Sequence, residues 1–196
     1  MRKIVVEDYN PQWAKDFKAL EEVFSKHLEG IKCDIEHVGS TAVEGLAAKP
    51  IVDIDIVVYN REDVTEVIKR LETIGYKHMG HMGIKGREAF KPVSEKVPFT
   101  AEKRCFREHH LYCIPAGEES LENHLRLRDF LREHPEAVEE YSTVKKHLAE
   151  KYPNDIDAYI EEKTVTIVSI LEKAGMESRK LNDIEGQNKK DGDGSR

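Results

Sequence analysis

Two aspartates, Asp53 and Asp55, interrupt an apolar run from Ile51 to Val58. Side chains alternate across a strand, so carboxylates at i and i+2 point the same way, about 6–7 Å apart. Val52, Ile54, Ile56 and Val58 then take the opposite, buried face. Two like charges on an otherwise apolar strand are costly. A solvated edge would tolerate them, but Ile51, Val57 and the unbroken apolar run argue against free solvation. A divalent cation held by both carboxylates removes the cost. Upstream, with twelve residues between Ser40 and Asp53, lies Gly39-Ser40. Glycine permits close backbone approach and an unusual backbone angle, and the free amides of a short helix capped by Ser40-Thr41 would favour an anion. The expectation is a metal–phosphate site: Asp53 and Asp55 on Mg2+, with Mn2+ as the alternative, and Gly39 and Ser40 on phosphate. Hard oxygen ligands suit such ions, and phosphoryl or nucleotidyl transfer needs its phosphates held and their developing charge neutralised.

Other residues are candidates with a plainer reading beside each. His37 adjoins Gly39 and can bond a phosphate or simply pack. Lys49, before Pro50, can approach the phosphates or be a surface lysine. Arg87 and Lys91 share a strand face and can clamp phosphate, though exposed strand charges commonly do nothing. His110 can serve as base or ligand, because its pKa lies near neutrality, or as a structural hydrogen-bonding group. Tyr141 and Lys145 lie one helical turn apart and face the same way. Lys163 falls inside an apolar helical stripe and either snorkels out or meets an anion. Arg128 and Arg132, four apart on one helix, are equally explained by surface ion pairs.

The elements that must position these residues follow from periodicity. Residues 4–6 read as a short strand. Asn10-Pro11 starts a helix, whose Trp13, Phe17, Leu20, Phe24 and Leu28 form one stripe ended by Gly30. Residues 33–38 read as a strand into Gly39, and the Asp53/Asp55 strand follows Pro50. Val64, Val67, Ile68, Leu71 and Ile74 give an amphipathic helix closed by Gly75. Strands are expected near Tyr76–Met79, Arg87–Lys91 and His109–Ile114, the last with His110, Tyr112 and Ile114 on one face. Residues 92–106 read as loop. Helices are expected from about Ser120 to Glu133, from Pro135, and from Pro153-Asn154-Asp155. Residues 176–196 read as a disordered tail. The domain expectation is a single unit over 1–175, with a sheet-containing core over 1–116 and a helical part over 117–175.

The 196 residues carry a net charge of −7, which argues against a general nucleic-acid or membrane surface. No apolar run approaches the ~20 residues of a membrane span. Cys33, Cys105 and Cys113 lack paired or zinc-like spacing, and the N-terminus lacks a leader-like apolar region. A soluble cytoplasmic protein is the expectation.

Val38-Gly39-Ser40 followed by Asp53-Ile54-Asp55 resembles the signature of the nucleotidyltransferase superfamily, the polymerase-beta-like fold. A longer run, Glu36 to Asp55, resembles the hallmark of the GrpB family, a bacterial group assigned to that fold. Tyr9-Asn10-Pro11-Gln12-Trp13, Leu127-Arg128-Asp129-Phe130-Leu131-Arg132 and Tyr141-Ser142-Thr143-Val144-Lys145 resemble it too, so the likeness spans roughly residues 5–175. The resemblance implies an α+β fold with a small mixed sheet backed by helices and followed by a helical C-terminal part. It also implies a nucleotide-dependent site over which a helical segment carrying Tyr141 and Lys145 closes. It implies no substrate, although some relatives are fused to a coenzyme A biosynthesis kinase. The family shows a His-His-Leu-His-like strand where this chain has His109-His110-Leu111-Tyr112, so any role of the last histidine is in question here. Active nucleotidyltransferases also need a third carboxylate, for which Glu88 and Glu108 both stand open. The expected function is Mg2+-dependent transfer of a nucleotidyl group from a nucleoside triphosphate to a small-molecule acceptor, with no extended nucleic acid bound. A non-catalytic nucleotide-binding module is the rival, and a phosphohydrolase the third reading.

Overall fold

The alternation of β2 (Val52–Val58) organises the architecture. The computed structural model describes residues 3–188. In it, β2 pairs antiparallel with β1 (Cys33–Val38) and parallel with β5 (His109–Pro115). The strands β3 (Tyr76–His78) and β4 (Glu88–Pro92) complete a mixed five-stranded sheet in the order β1-β2-β5-β4-β3. The β2–β5 register sets Asp53 beside His110 and Asp55 beside Tyr112. Paired residues share a face, so both aspartates and both partners lie on one side of the sheet.

The other side is the main core. Val52, Ile54, Ile56 and Val58 pack there against Phe17, Leu20 and Phe24 of α1 (Gln12–His27) and Val67 and Leu71 of α2 (Asp63–Thr73). The start of α1 matches its sequence signal: Asn10 Oδ1 accepts from the Gln12 amide at 2.9 Å.

The aspartate face is covered by helices from the C-terminal part. Leu121 of α3 (Glu119–Glu133) packs on Val57 and Ile114. Tyr141 of α4 (Pro135–Lys151) and Ile170 of α5 (Ile156–Lys173) gather around Val43 and Leu46 in a second cluster. The Asp155 side chain caps α5 by accepting from the Ala158 amide at 3.0 Å.

Three expectations need correction. Residues 4–6 form no strand. Ile4 instead donates its amide to the Pro153 carbonyl and buries its side chain among Leu148, Ala149 and Tyr159, and the nearby ladder contact is one bridge between Glu7 and Ala48. The segment after Gly39 is one turn of 3-10 helix, Ser40–Ala42, and neither Ser40 nor Thr41 caps it. Gly39 occupies the N-cap, and the two hydroxyls are engaged by Lys145 and His37. The polar stretch expected to be disordered contains α6 (Ser178–Asn188). Leu181 and Ile184 bury against Leu171 and Met176, and Lys180 pairs with Glu122 at 2.6 Å. The rest of that expected tail, residues 189–196, lies outside the described residues. Among the described residues no helix is long and apolar enough to cross a membrane.

Candidate functional site

The site forms where the end of β1 and the early part of β2 meet α3, α4 and α5. Gly39 has φ +68°, in the left-handed region that favours glycine. It also lies against the Asp53 carboxylate: a Cβ at position 39 would stand 2.2 Å from Asp53 Oδ2. The glycine is therefore a steric requirement of the aspartate.

Each aspartate has its own histidine. His110 Nδ1 lies 2.8 Å from Asp53 Oδ1, and His124 Nδ1, from α3, lies 2.7 Å from Asp55 Oδ2. Burial alone would raise the Asp53 pKa, but the His110 hydrogen bond and the charges of His110, His124 and Lys163 leave it lowered. Asp53 is therefore a carboxylate, and His110 Nδ1 donates to it, which leaves His110 Nε2 as the free position of the ring. For His110, burial lowers the pKa, and the hydrogen bond and charge of Asp53 outweigh it and raise it. His124 behaves alike through Asp55. The Asp55 side chain has no exposed surface, and its Oδ1 has no hydrogen-bond partner.

Lys145 is the buried lysine of the site. It is 2% exposed, its Nζ donates to Ser40 Oγ at 3.0 Å, and it sits 4.4 Å from the Tyr141 ring centroid. Burial and the neighbouring charge of Lys163 hold its pKa well below the usual lysine value, against the pull of Asp53. Lys163 itself is pushed down to about 8 by burial and Lys49, again opposed by Asp53. Both Lys49 and Lys163 lie over the Tyr159 ring, at 5.8 and 5.6 Å. Three lysines thus converge on the Asp53 side.

The remaining candidates divide. His37 turns inward: Nε2 bonds Thr41 Oγ1 at 3.0 Å, the ring stacks on Phe17, and burial lowers its pKa to about 4. It packs, the plainer of its two readings. Arg87 lies over Tyr112, 4.3 Å from the ring centroid, on the Asp55 side rather than beside Ser40. Glu88 bonds His78. Arg128 and Arg132, which surface ion pairs would explain equally well from sequence, reach back to the segment around Gly39. Arg128 Nη1 bonds Glu36 at 2.6 Å and the His37 carbonyl, while Arg132 donates twice to the Ala42 carbonyl. Sequence reasoning missed His124. Its signal is a histidine between the buried Leu121 and Leu131 of α3, which gains meaning only once α3 lies on the aspartate face.

A family model described as GrpB protein matches residues 3–173. The UPF0157 protein YqkA of Bacillus subtilis is 33% identical over 94% of this chain, which spans about half of that protein's length, 51%. The crystal structure of the conserved protein GrpB from Enterococcus faecalis superposes with a TM-score of 0.72 at 32% identity, covering 91% of this chain and 98% of that one. Cid1 in complex with the UTP analogue UMPNPP is more distant: TM-score 0.50, 12% identity, 74% of this chain and 43% of that chain. The Cid1 likeness supports a nucleotidyltransferase-like fold.

Proposed function

The chain belongs to the GrpB family, and from that premise we propose that it binds a nucleoside triphosphate with Mg2+ and transfers the nucleotidyl group to a small-molecule acceptor. The observation that carries the reading is Lys145. An ammonium has three donors, and among the described residues one is used, toward Ser40 Oγ. A buried cation in that state calls for an anion. The Ser40 hydroxyl, the Lys145 ammonium and the Gly39 turn form a seat for β- and γ-phosphates, with Asp53 beside it. Lys49 and Lys163 add positive charge along the same path.

The donor set fits Mg2+. That ion keeps several waters and takes one or two carboxylates plus substrate phosphates rather than a full protein cage. Asp53 is open to it, and Asp55 Oδ1 is buried without a partner. Bound there, the ion would neutralise charge on the transferring phosphoryl group. The acceptor oxygen attacks the α-phosphorus and the bond to the bridging oxygen breaks. Pyrophosphate leaves, and the acceptor proton passes to His110 Nε2, whose ring Asp53 orients. A nucleoside triphosphate substrate and three free cysteines suit a cytoplasmic setting.

A second reading, a nucleotide-binding module without turnover, is favoured by one observation: the register places His110 and Tyr112, not a carboxylate, beside the aspartates. Incubation with each nucleoside triphosphate and Mg2+ separates the readings. Pyrophosphate release supports transfer, orthophosphate release supports hydrolysis, and tight Mg2+-dependent binding without release supports the module.

A further inference from the structure

Ladder pairing holds His110 from one side. There it sits opposite Asp53 of β2, and just before it the Val52 amide bonds the Glu108 carbonyl at 3.0 Å. On the other side β4 pairs with β5 at Cys113, Tyr112 and Leu111 and stops, one residue short of His110. The last residues of β4, Lys91 and Pro92, pair with β3 instead. The same register continued would set Pro92 opposite His109, and proline has no amide to donate to a ladder.

Side chains bridge that gap. Tyr76 lies opposite Pro92 on β3, so Tyr76, Pro92 and His109 form one row across three strands. The Tyr76 hydroxyl lies 2.5 Å from His109 Nε2, and His109 Nδ1 lies 2.7 Å from the Arg107 carbonyl oxygen. A carbonyl only accepts, so Nδ1 carries a proton. Burial lowers the His109 pKa and keeps the ring neutral. Nε2 is then a bare acceptor, and Tyr76 donates to it. Both residues are buried, and Phe24 of α1 packs on both rings, with centroids 5.9 and 6.5 Å away. Arg107 is held in turn by Asp16 of α1, at 2.8 Å. The chain of bonds therefore fixes the segment that enters β5 on the side where the ladder ends.

We propose that Tyr76 is a positioning residue for the Asp53–His110 pair. Its hydroxyl fixes the His109 ring, and that ring fixes the backbone from which His110 points Nδ1 at Asp53. Tyr76 itself touches no reacting atom. The proposal rests on the transfer reading above for the role of His110 and adds the device that aims it.

Tyr76→Phe removes the hydroxyl and keeps the ring. In full-length protein labelled with 15N-histidine, the His110 Nδ1 proton is identified by its loss in His110→Asn, and its exchange with solvent is measured. The expected result is a slowly exchanging proton in the parent and exchange at least about 10-fold faster in Tyr76→Phe. Pyrophosphate release from a nucleoside triphosphate with Mg2+ should slow about 10- to 100-fold, with the Kd of a non-hydrolysable analogue unchanged. Val67→Ala, in the same core cluster but on α2, is the control: it should lower the urea midpoint and leave the His110 proton as in the parent. An unprotected His110 proton in the parent, an unchanged one in Tyr76→Phe, or equal acceleration in Val67→Ala overturns the positioning role. Slower release that is explained by weaker nucleotide binding overturns it too. If the parent releases no pyrophosphate, the transfer reading falls, and the exchange rates alone decide whether Tyr76 aims His110.

Discussion

Asp53 and Asp55 occupy one face of one strand, each paired with a histidine at nearly the same distance, yet they live in different surroundings. The Asp53–His110 pair is open, with side-chain exposures of 31% and 47%. The Asp55–His124 pair is closed, with Asp55 at 0% under α3. An open pair leaves its carboxylate within reach of a ligand while His110 stays bound to it, and the three lysines gather on its side. A closed pair ties the sheet to the helix that covers it. The difference teaches that a two-residue motif can divide its labour: under the proposed function Asp53 is the working carboxylate, while Asp55 ties α3 to the sheet through His124 and keeps one oxygen without a hydrogen-bond partner.

The largest effect should come from the residue that holds the open pair open. Gly39→Ala combines a left-handed φ with a Cβ inside the Asp53 carboxylate, and should cost about 3 kcal/mol or more, read by urea unfolding, with nucleotide binding lost. A variant as stable as the parent would show that the close approach is unimportant. Asp55→Ala should cost about 2–3 kcal/mol, because it leaves His124 facing the sheet without its carboxylate. If Asp55→Ala unfolds at the same urea midpoint as the parent, the anchor role fails.

His37 sharpens the comparison from the packed side of the loop. Its folded pKa, about 4, lies below its ordinary value of 6.5. Between those values the unfolded chain takes up a proton that the folded one refuses. Its contribution is therefore complete above pH 6.5 and lost as pH falls toward 4, roughly 3 kcal/mol in all. His37→Phe, which keeps a ring against Phe17, should flatten that part of the stability–pH curve. An unchanged slope would mean that His37 titrates normally. The smallest stability effect is expected at Lys145. Lys145→Met removes a desolvated charge and should leave stability equal or raise it by about 1 kcal/mol, while weakening triphosphate binding roughly 10- to 100-fold. Loss of stability with unchanged binding would assign Lys145 to the scaffold.

Much of this arrangement was legible in the chain because it depends on local rules. Alternation separated the aspartates from Val52, Ile54, Ile56 and Val58, the Asn10-Pro11 and Asp155 signals marked helix starts, and the helical spacing of Tyr141 and Lys145 put them on one face. What was hidden depends on distant packing. His124 and the inward reach of Arg128 and Arg132 follow from how α3 crosses the sheet, 69 to 92 residues away along the chain. The apolar residues 4–6 read as a strand, but the Ile4 amide found the Pro153 carbonyl rather than a strand edge. In α6, Leu181 and Ile184 are two apolar residues in a polar stretch, too few to signal a helix until Leu171 and Met176 offer a surface.

The central claim is that the open carboxylate and the buried lysine together bind a metal-bound triphosphate. Calorimetric titration of a non-hydrolysable nucleoside triphosphate, with and without Mg2+, into the parent and Asp53→Asn tests it most directly. The account predicts Mg2+-dependent binding to the parent, weakened at least about 10-fold in Asp53→Asn with little change in thermal stability. Equal binding by the two proteins, or binding indifferent to Mg2+, would contradict it.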